Sequence, residues 1–217
     1  QKQFAQQINS AKNKPIPKFS WFDDNNLQPD LLDIQEKGIK KSNPLPYHFI
    51  VNLQDDTIKM KNFTNTGVPL IMYDRKKLNS DKDFYFSYAL YEHQELDHFI
   101  DNNSYDFEVF APNGFYRKFK SESQPNVEVK LLNDENANIY LIFERKNLEK
   151  PVILEIKDAY SGKISTIQLK NKQEKLKINT PQKSGWYDVM VKENNTEWHF
   201  SGRAESGKIS ISDPHWA

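Results

Sequence analysis

The sequence predicts an all-β protein, built as two tandem β-sandwiches behind an extended connector. Three observations predict it. After residue 46, apolar and polar residues alternate at period two in short runs, as half-buried antiparallel strands require. Turn residues separate those runs, at roughly 8–12-residue spacing. The second half then repeats the order of runs found in the first.

The connector comes first. Gln1 to Lys14 is rich in Gln, Asn and Lys, and is followed by Pro15, Pro17, Pro29, Pro44 and Pro46. Each proline removes a backbone donor and fixes φ, so no regular element is expected over residues 1–45. Trp21 and Phe22 are the side chains expected to pin this stretch to a neighbouring surface. The first sandwich is assigned to residues 46–121. Its clearest strand runs through Tyr105, Phe107 and Val109 on one face, with Asp106 and Glu108 on the other. The second is assigned to residues 122–217, where Ile139, Leu141 and Phe143 alternate in the same way, as do Tyr187, Val189 and Val191. Asp55-Asp56, Asn65-Thr66-Gly67, Pro112-Asn113-Gly114, Ser161-Gly162 and Lys183-Ser184-Gly185 punctuate the runs.

The halves match in order. Ile139 to Phe143 corresponds to Ile58 to Phe63, and Val152 to Ile156 to Val68 to Met72. Trp186 to Val191 corresponds to Tyr105 to Phe110, and Trp198 to Arg203 to Phe115 to Phe119. About seven strands per repeat is the immunoglobulin-like pattern. The boundary falls in the polar stretch Ser121 to Pro125, and the two halves are expected to fold separably.

Composition removes several functions. The 30 basic residues balance 30 acidic ones, so there is no global field for nucleic acid. Aromatic residues at 13% and zero net charge argue for a folded chain rather than a disordered one. No window approaches 18 consecutive apolar residues, so no transmembrane helix is expected. With no cysteine, thiol catalysis and Cys-ligated zinc are excluded, and redox compartment cannot be read. Seven scattered glycines build no phosphate-cradling loop. The chain opens on Gln1 rather than Met, and is therefore expected to be a piece or a processed product.

The terminal pair of each half carries a resemblance. Tyr105-Asp106-Phe107-Glu108-Val109-Phe110-Ala111-Pro112-Asn113-Gly114-Phe115-Tyr116-Arg117-Lys118-Phe119 resembles the signature of the bacterial phospholipase C C-terminal domain. Ser184-Gly185-Trp186-Tyr187-Asp188-Val189, then Phe200 to Gly207 and Ser210 to Pro214, are similar to that family's ending. Gln35 to Gly38 and Pro44 to Tyr47 are similar to its lead-in. Ala111 and Ser201 depart from the pattern, as does the Ile39-Lys40-Lys41-Ser42-Asn43 segment.

The resemblance is to the tandem C-terminal domains of non-haemolytic-type, phosphocholine-specific phospholipases C. It implies a non-catalytic accessory region of an exported enzyme, either periplasmic or secreted. An N-terminal catalytic domain of the same parent chain would be its partner and would hydrolyse the phosphodiester bond. A phospholipid surface is a second candidate partner. No cofactor and no nucleic acid are expected for this stretch. The alternative is a stand-alone two-module protein that binds carbohydrate or adheres to a surface.

Candidate chemistry is sparse. His93, Glu95 and Asp97 would share a strand face and could bind a divalent metal, but the spacing matches no zinc motif and a solvated face is the simpler reading. Trp186, Tyr187, Trp198, His199 and Trp216 could build a choline cage by cation–π attraction, and Trp21, Trp198, His199 and Trp216 are weak candidates for binding contacts. Core packing is the stronger reading for Trp186, Tyr187 and Trp198. Arg203 is expected to fasten the last strand through Asp188, Glu205 or Asp213, and Arg117 to play a like structural role. Gly114 is expected to make a tight turn. No Gly-x-Ser-x-Gly elbow is present, so no catalytic residue is assigned.

Overall fold

The computed structural model describes residues 38–78, 84–101, 103–134, 136–180 and 184–215. The connector expectation for residues 1–37, including Trp21 and Phe22, lies outside the described residues, as does Trp216. All described residues belong to one compact unit, Gly38–Ala217.

The described residues are all-β, with one 3₁₀ turn at Arg75–Lys77. A short strand, β1 (Lys41–Ser42), leads in. The first half then supplies β2 (Phe49–Gln54), β3 (Thr57–Asn62), β4 (Val68–Asp74), β5 (Tyr85–Leu90), β6 (Glu95–Phe99), β7 (Tyr105–Ala111) and β8 (Phe115–Ser121). The second supplies β9 (Val127–Asn133), β10 (Ile139–Arg145), β11 (Val152–Asp158), β12 (Ile164–Leu169), β13 (Gln173–Ile178), β14 (Trp186–Glu193) and β15 (Thr196–Arg203). A last short strand, β16 (Ser210–Ile211), pairs antiparallel with β1.

The period-two alternation becomes burial directly. In β8, Phe115, Arg117, Phe119 and Ser121 point inward, while Tyr116, Lys118 and Lys120 point outward. In β11, Val152, Leu154 and Ile156 are buried, and Ile153, Glu155 and Lys157 are exposed. Turns close the hairpins where left-handed backbone is tolerated. Asn113 (φ 63°) and Gly114 (φ 66°) join β7 to β8 in the manner of a type I′ turn.

Each half forms a three-stranded sheet and four strands of a larger one. The small sheets run β2-β3-β6 and β13-β10-β9. The large sheet has eight strands, in the order β12-β11-β14-β15-β8-β7-β4-β5. The strands matched by sequence therefore occupy equivalent places in the two halves. The two halves meet along a backbone ladder, because β8 and β15 pair antiparallel at the centre of one continuous sheet. Both strands are thereby paired along both edges, so neither exposes a ladder of unpaired backbone groups. One hydrophobic cluster spans both halves. Phe119 and Phe200 meet edge to face at 6.3 Å beside the seam.

The small sheets also touch. Asn52 on β2 is buried, donates to the Leu131 carbonyl on β9 (3.1 Å), and accepts from the Leu131 amide (2.9 Å). One side-chain amide thus does the work of a strand neighbour between two sheets that share no backbone ladder.

Candidate functional site

The signature residues converge at the β8–β15 seam and at the end of the sheet beside it. Arg117 stands on the inner face of β8, opposite Phe200 on β15, and is 1% exposed. Its Nη1 donates to the carbonyls of Tyr116 and Ser201, both at 2.8 Å, and its Nη2 donates to the Tyr187 hydroxyl at 2.8 Å. The guanidinium lies 3.9 Å from the Phe115 ring centroid. Its Nε has no hydrogen-bond partner. Burial pushes its pKa down, opposed by the Tyr187 hydroxyl. The buried cation is thus held by neutral oxygens and ring faces.

A second cluster holds the incoming chain. The Glu205 carboxylate accepts from the Asn113 side chain (2.7 Å) and from the Leu45 amide (3.2 Å), and lies 3.5 Å from Arg203 Nη2. Arg203 Nη1 donates to the Ser42 hydroxyl at 2.7 Å. The Lys40 amide donates to the Ser212 hydroxyl, and the Ser212 amide to the Lys40 carbonyl. Trp186 Nε1 donates to the Ile211 carbonyl at 2.9 Å, with Arg203 over its ring. Burial raises the Glu205 pKa, against the pull of Arg203. The hairpin turn at Asn113-Gly114, the last strand and the lead-in segment are thereby tied into one knot.

The other expected residues fall as follows. Trp198 is 1% exposed, in the core. Tyr187 is buried, and Asp188 on the opposite face accepts from His199 Nε2 at 2.6 Å. Asp213 accepts from the Tyr160 hydroxyl, so among the three acids named for Arg203 it is Glu205 that meets it. Gly114 makes the turn at φ 66°, and a Cβ there would meet the Trp186 ring at an ordinary contact distance of 3.4 Å. The metal grouping does not assemble. Glu95 and Asp97 share the outer face of β6 and pair with Lys61 and Lys59. His93 sits in the preceding turn at φ 53° and bonds the Asn65 side chain. His98 points inward, its Nδ1 2.7 Å from the Tyr88 hydroxyl.

Sequence reasoning missed Asn52 and Arg145 and read Gly185 only as a turn residue. Asn52 has no local signal. Arg145 gathers the Leu148 and Lys150 carbonyls at 2.8 and 2.7 Å and reaches the Lys170 carbonyl at 3.3 Å, tying down the loop after β10. Its signal was its type, an arginine in a lysine-rich chain. Gly185 (φ 84°) has an Ala204 carbonyl 2.3 Å from where a Cβ would stand.

Fold and clusters define a class: an antiparallel β-sandwich module whose buried polar groups fasten its own strands and the chain that leads into it. Residues 42–120 match the family described as bacterial phospholipase C, C-terminal domain. Over 133 residues, 55% of the chain, the sequence is 34% identical to the hemolytic phospholipase C of Pseudomonas aeruginosa. The aligned stretch amounts to 18% of that protein's length. Over residues 42–120 the chain is thus similar to a C-terminal domain of the bacterial phospholipase C type.

Proposed function

We propose that this chain is a non-catalytic accessory region of an exported bacterial phospholipase C. An N-terminal domain of the same parent chain would hydrolyse phosphocholine lipids, and these strands would support it. The observation that carries the reading is the knot around Glu205. The signature residues Asn113, Arg203 and Glu205 spend their polar groups on each other and on the segment Lys40 to Leu45, and Trp186 donates to the Ile211 carbonyl on β16, the strand that pairs with that segment. They hold an incoming chain rather than face a substrate. No group of three or more His, Asp or Glu side chains suited to a metal is found among the described residues.

The equivalent strand orders support the further reading of tandem immunoglobulin-like repeats, with boundaries near residues 46–121 and 122–217. In each half a sheet of the first, second and fifth strands accompanies one of the third, fourth, sixth and seventh. Periplasmic or secreted localisation follows from the same reading.

The coding sequence upstream of Gln1 tests it. A phosphodiesterase domain in the same frame is the expected result. A stop codon or a signal peptide directly before Gln1 would overturn the reading and leave a free-standing adhesion module.

A further inference from the structure

The outer face of the eight-stranded sheet has two chemistries. One row is charged and paired: Lys120 lies 4.0 Å from Asp106, and Lys118 and Lys192 lie 3.4 and 3.6 Å from Glu197. Beside it runs an aromatic row across five strands. Tyr85, Tyr73, Phe110, Tyr116 and His199 follow one another at centroid separations of 5.5, 6.0, 5.1 and 5.2 Å. Tyr85 is 47% exposed and Phe110 37%, and Ile71, opposite Phe110, is 38% exposed. The same face also exposes Ile153 and Ile164 on β11 and β12, but the aromatic row is its continuous apolar feature, and such a patch marks an interaction site.

The geometry points to this row as the face on which the upstream part of the parent chain docks; the inference rests on the accessory reading above. The location argues for that occupant. Phe110 and Tyr116 flank the turn that carries Asn113, and Asn113 shares Glu205 with the Leu45 amide. Chain arriving through Lys40 to Leu45 is therefore delivered at the end of the sheet that carries the row. The stretch shared with the relative is only 18% of that protein, so a parent of that kind has ample surface to cover it.

The ring geometry argues against a glycan platform. Successive planes turn by 59°, 79°, 52° and 82°, so the rings alternate between tilted and edge-to-face contacts and present no flat run for sugars. An anionic bilayer would call for unpaired cations, and here Arg75 is paired with Glu108, Lys118 with Glu197 and Lys120 with Asp106.

Hydroxyl-radical footprinting of the full-length parent and of this chain alone tests the proposal. Tyr85 and Phe110 should be modified several-fold less in the parent, with Phe99, 72% exposed on β6, unchanged. Ile71→Lys with Phe110→Glu should restore the reactivity of Tyr85 in the parent while leaving the melting of this chain alone unaltered. Equal reactivity of Tyr85 and Phe110 in both proteins overturns the proposal. So does protection of this chain by phosphatidylcholine vesicles or a soluble polysaccharide when the parent gives none. A hydrolytic parent with the row exposed would defeat the docking face alone. A parent that covers the row yet hydrolyses no phosphocholine ester would defeat the accessory reading and leave the docking face standing.

Discussion

Arginine occupies four positions in a lysine-rich chain, and three of them, Arg117, Arg145 and Arg203, are buried. The planar fork explains the choice, because one guanidinium serves several fixed oxygens where an ammonium serves one point. Arg117→Lys should leave at least one of the Tyr116, Ser201 and Tyr187 oxygens unpaired, at about 1–3 kcal/mol for each buried group. For a chain of this size that lowers Tm by about 2–4 °C per kcal/mol. A thermal melt superimposable on the wild type would contradict the assignment. Tyr187→Phe removes the acceptor of Arg117 Nη2 and keeps the ring, so its effect should appear across the seam. Faster hydrogen exchange in β8, in the other half of the chain, is the expected result; a change confined to β14 would contradict it. Sequence reading placed Tyr187 in the core through its alternation with Val189 and Val191. The reach to Arg117 was not legible, because it depends on β8 and β15 being neighbours.

At the scale of elements, alternation made the strands readable, since which side a residue faces is a local property. Closures were read less well. The β7–β8 turn was visible in Asn113-Gly114, whereas Gly185 looked like one more turn glycine. Its importance comes from the Ala204 carbonyl packed against it across the β14–β15 pair. Gly185→Ala should therefore destabilise far more than Gly162→Ala, which has a similar positive φ and nothing within 4 Å of its Cβ. Comparable melting of the two variants would argue against the close approach. His98 on β6 should make stability depend on pH at this scale. Burial between Phe86, Phe107 and Tyr88 lowers its pKa, with a further push from Lys77 and an opposing pull from Asp74 and Asp101. The unfolded chain then binds more protons than the folded one from about pH 6.5 down to the lowered value. Stability should fall as pH drops through that window, and His98→Gln should flatten the fall. An identical pH profile for both proteins, measured by urea titration, would remove His98 from that role.

At the scale of the whole molecule, the composition, the repeated order of strands and the family signature all lay in the sequence, and the joint between the halves did not. Nothing local marks β8 and β15 as partners, because each reads as an ordinary strand with one apolar face. Their pairing, with Asn52 bridging β2 and β9, joins the halves within one compact unit, Gly38–Ala217. Calorimetry should give a single transition, and residues 38–121 alone should fail to fold; two resolved transitions would show that the seam is weak. The central claim is that these strands serve an enzyme without being one. The direct test is turnover of phosphatidylcholine and p-nitrophenyl phosphorylcholine by the purified chain, with and without divalent metals, beside its full-length parent. The account predicts hydrolysis by the parent and none by the chain. Turnover by the chain that persists through repeated purification would contradict it.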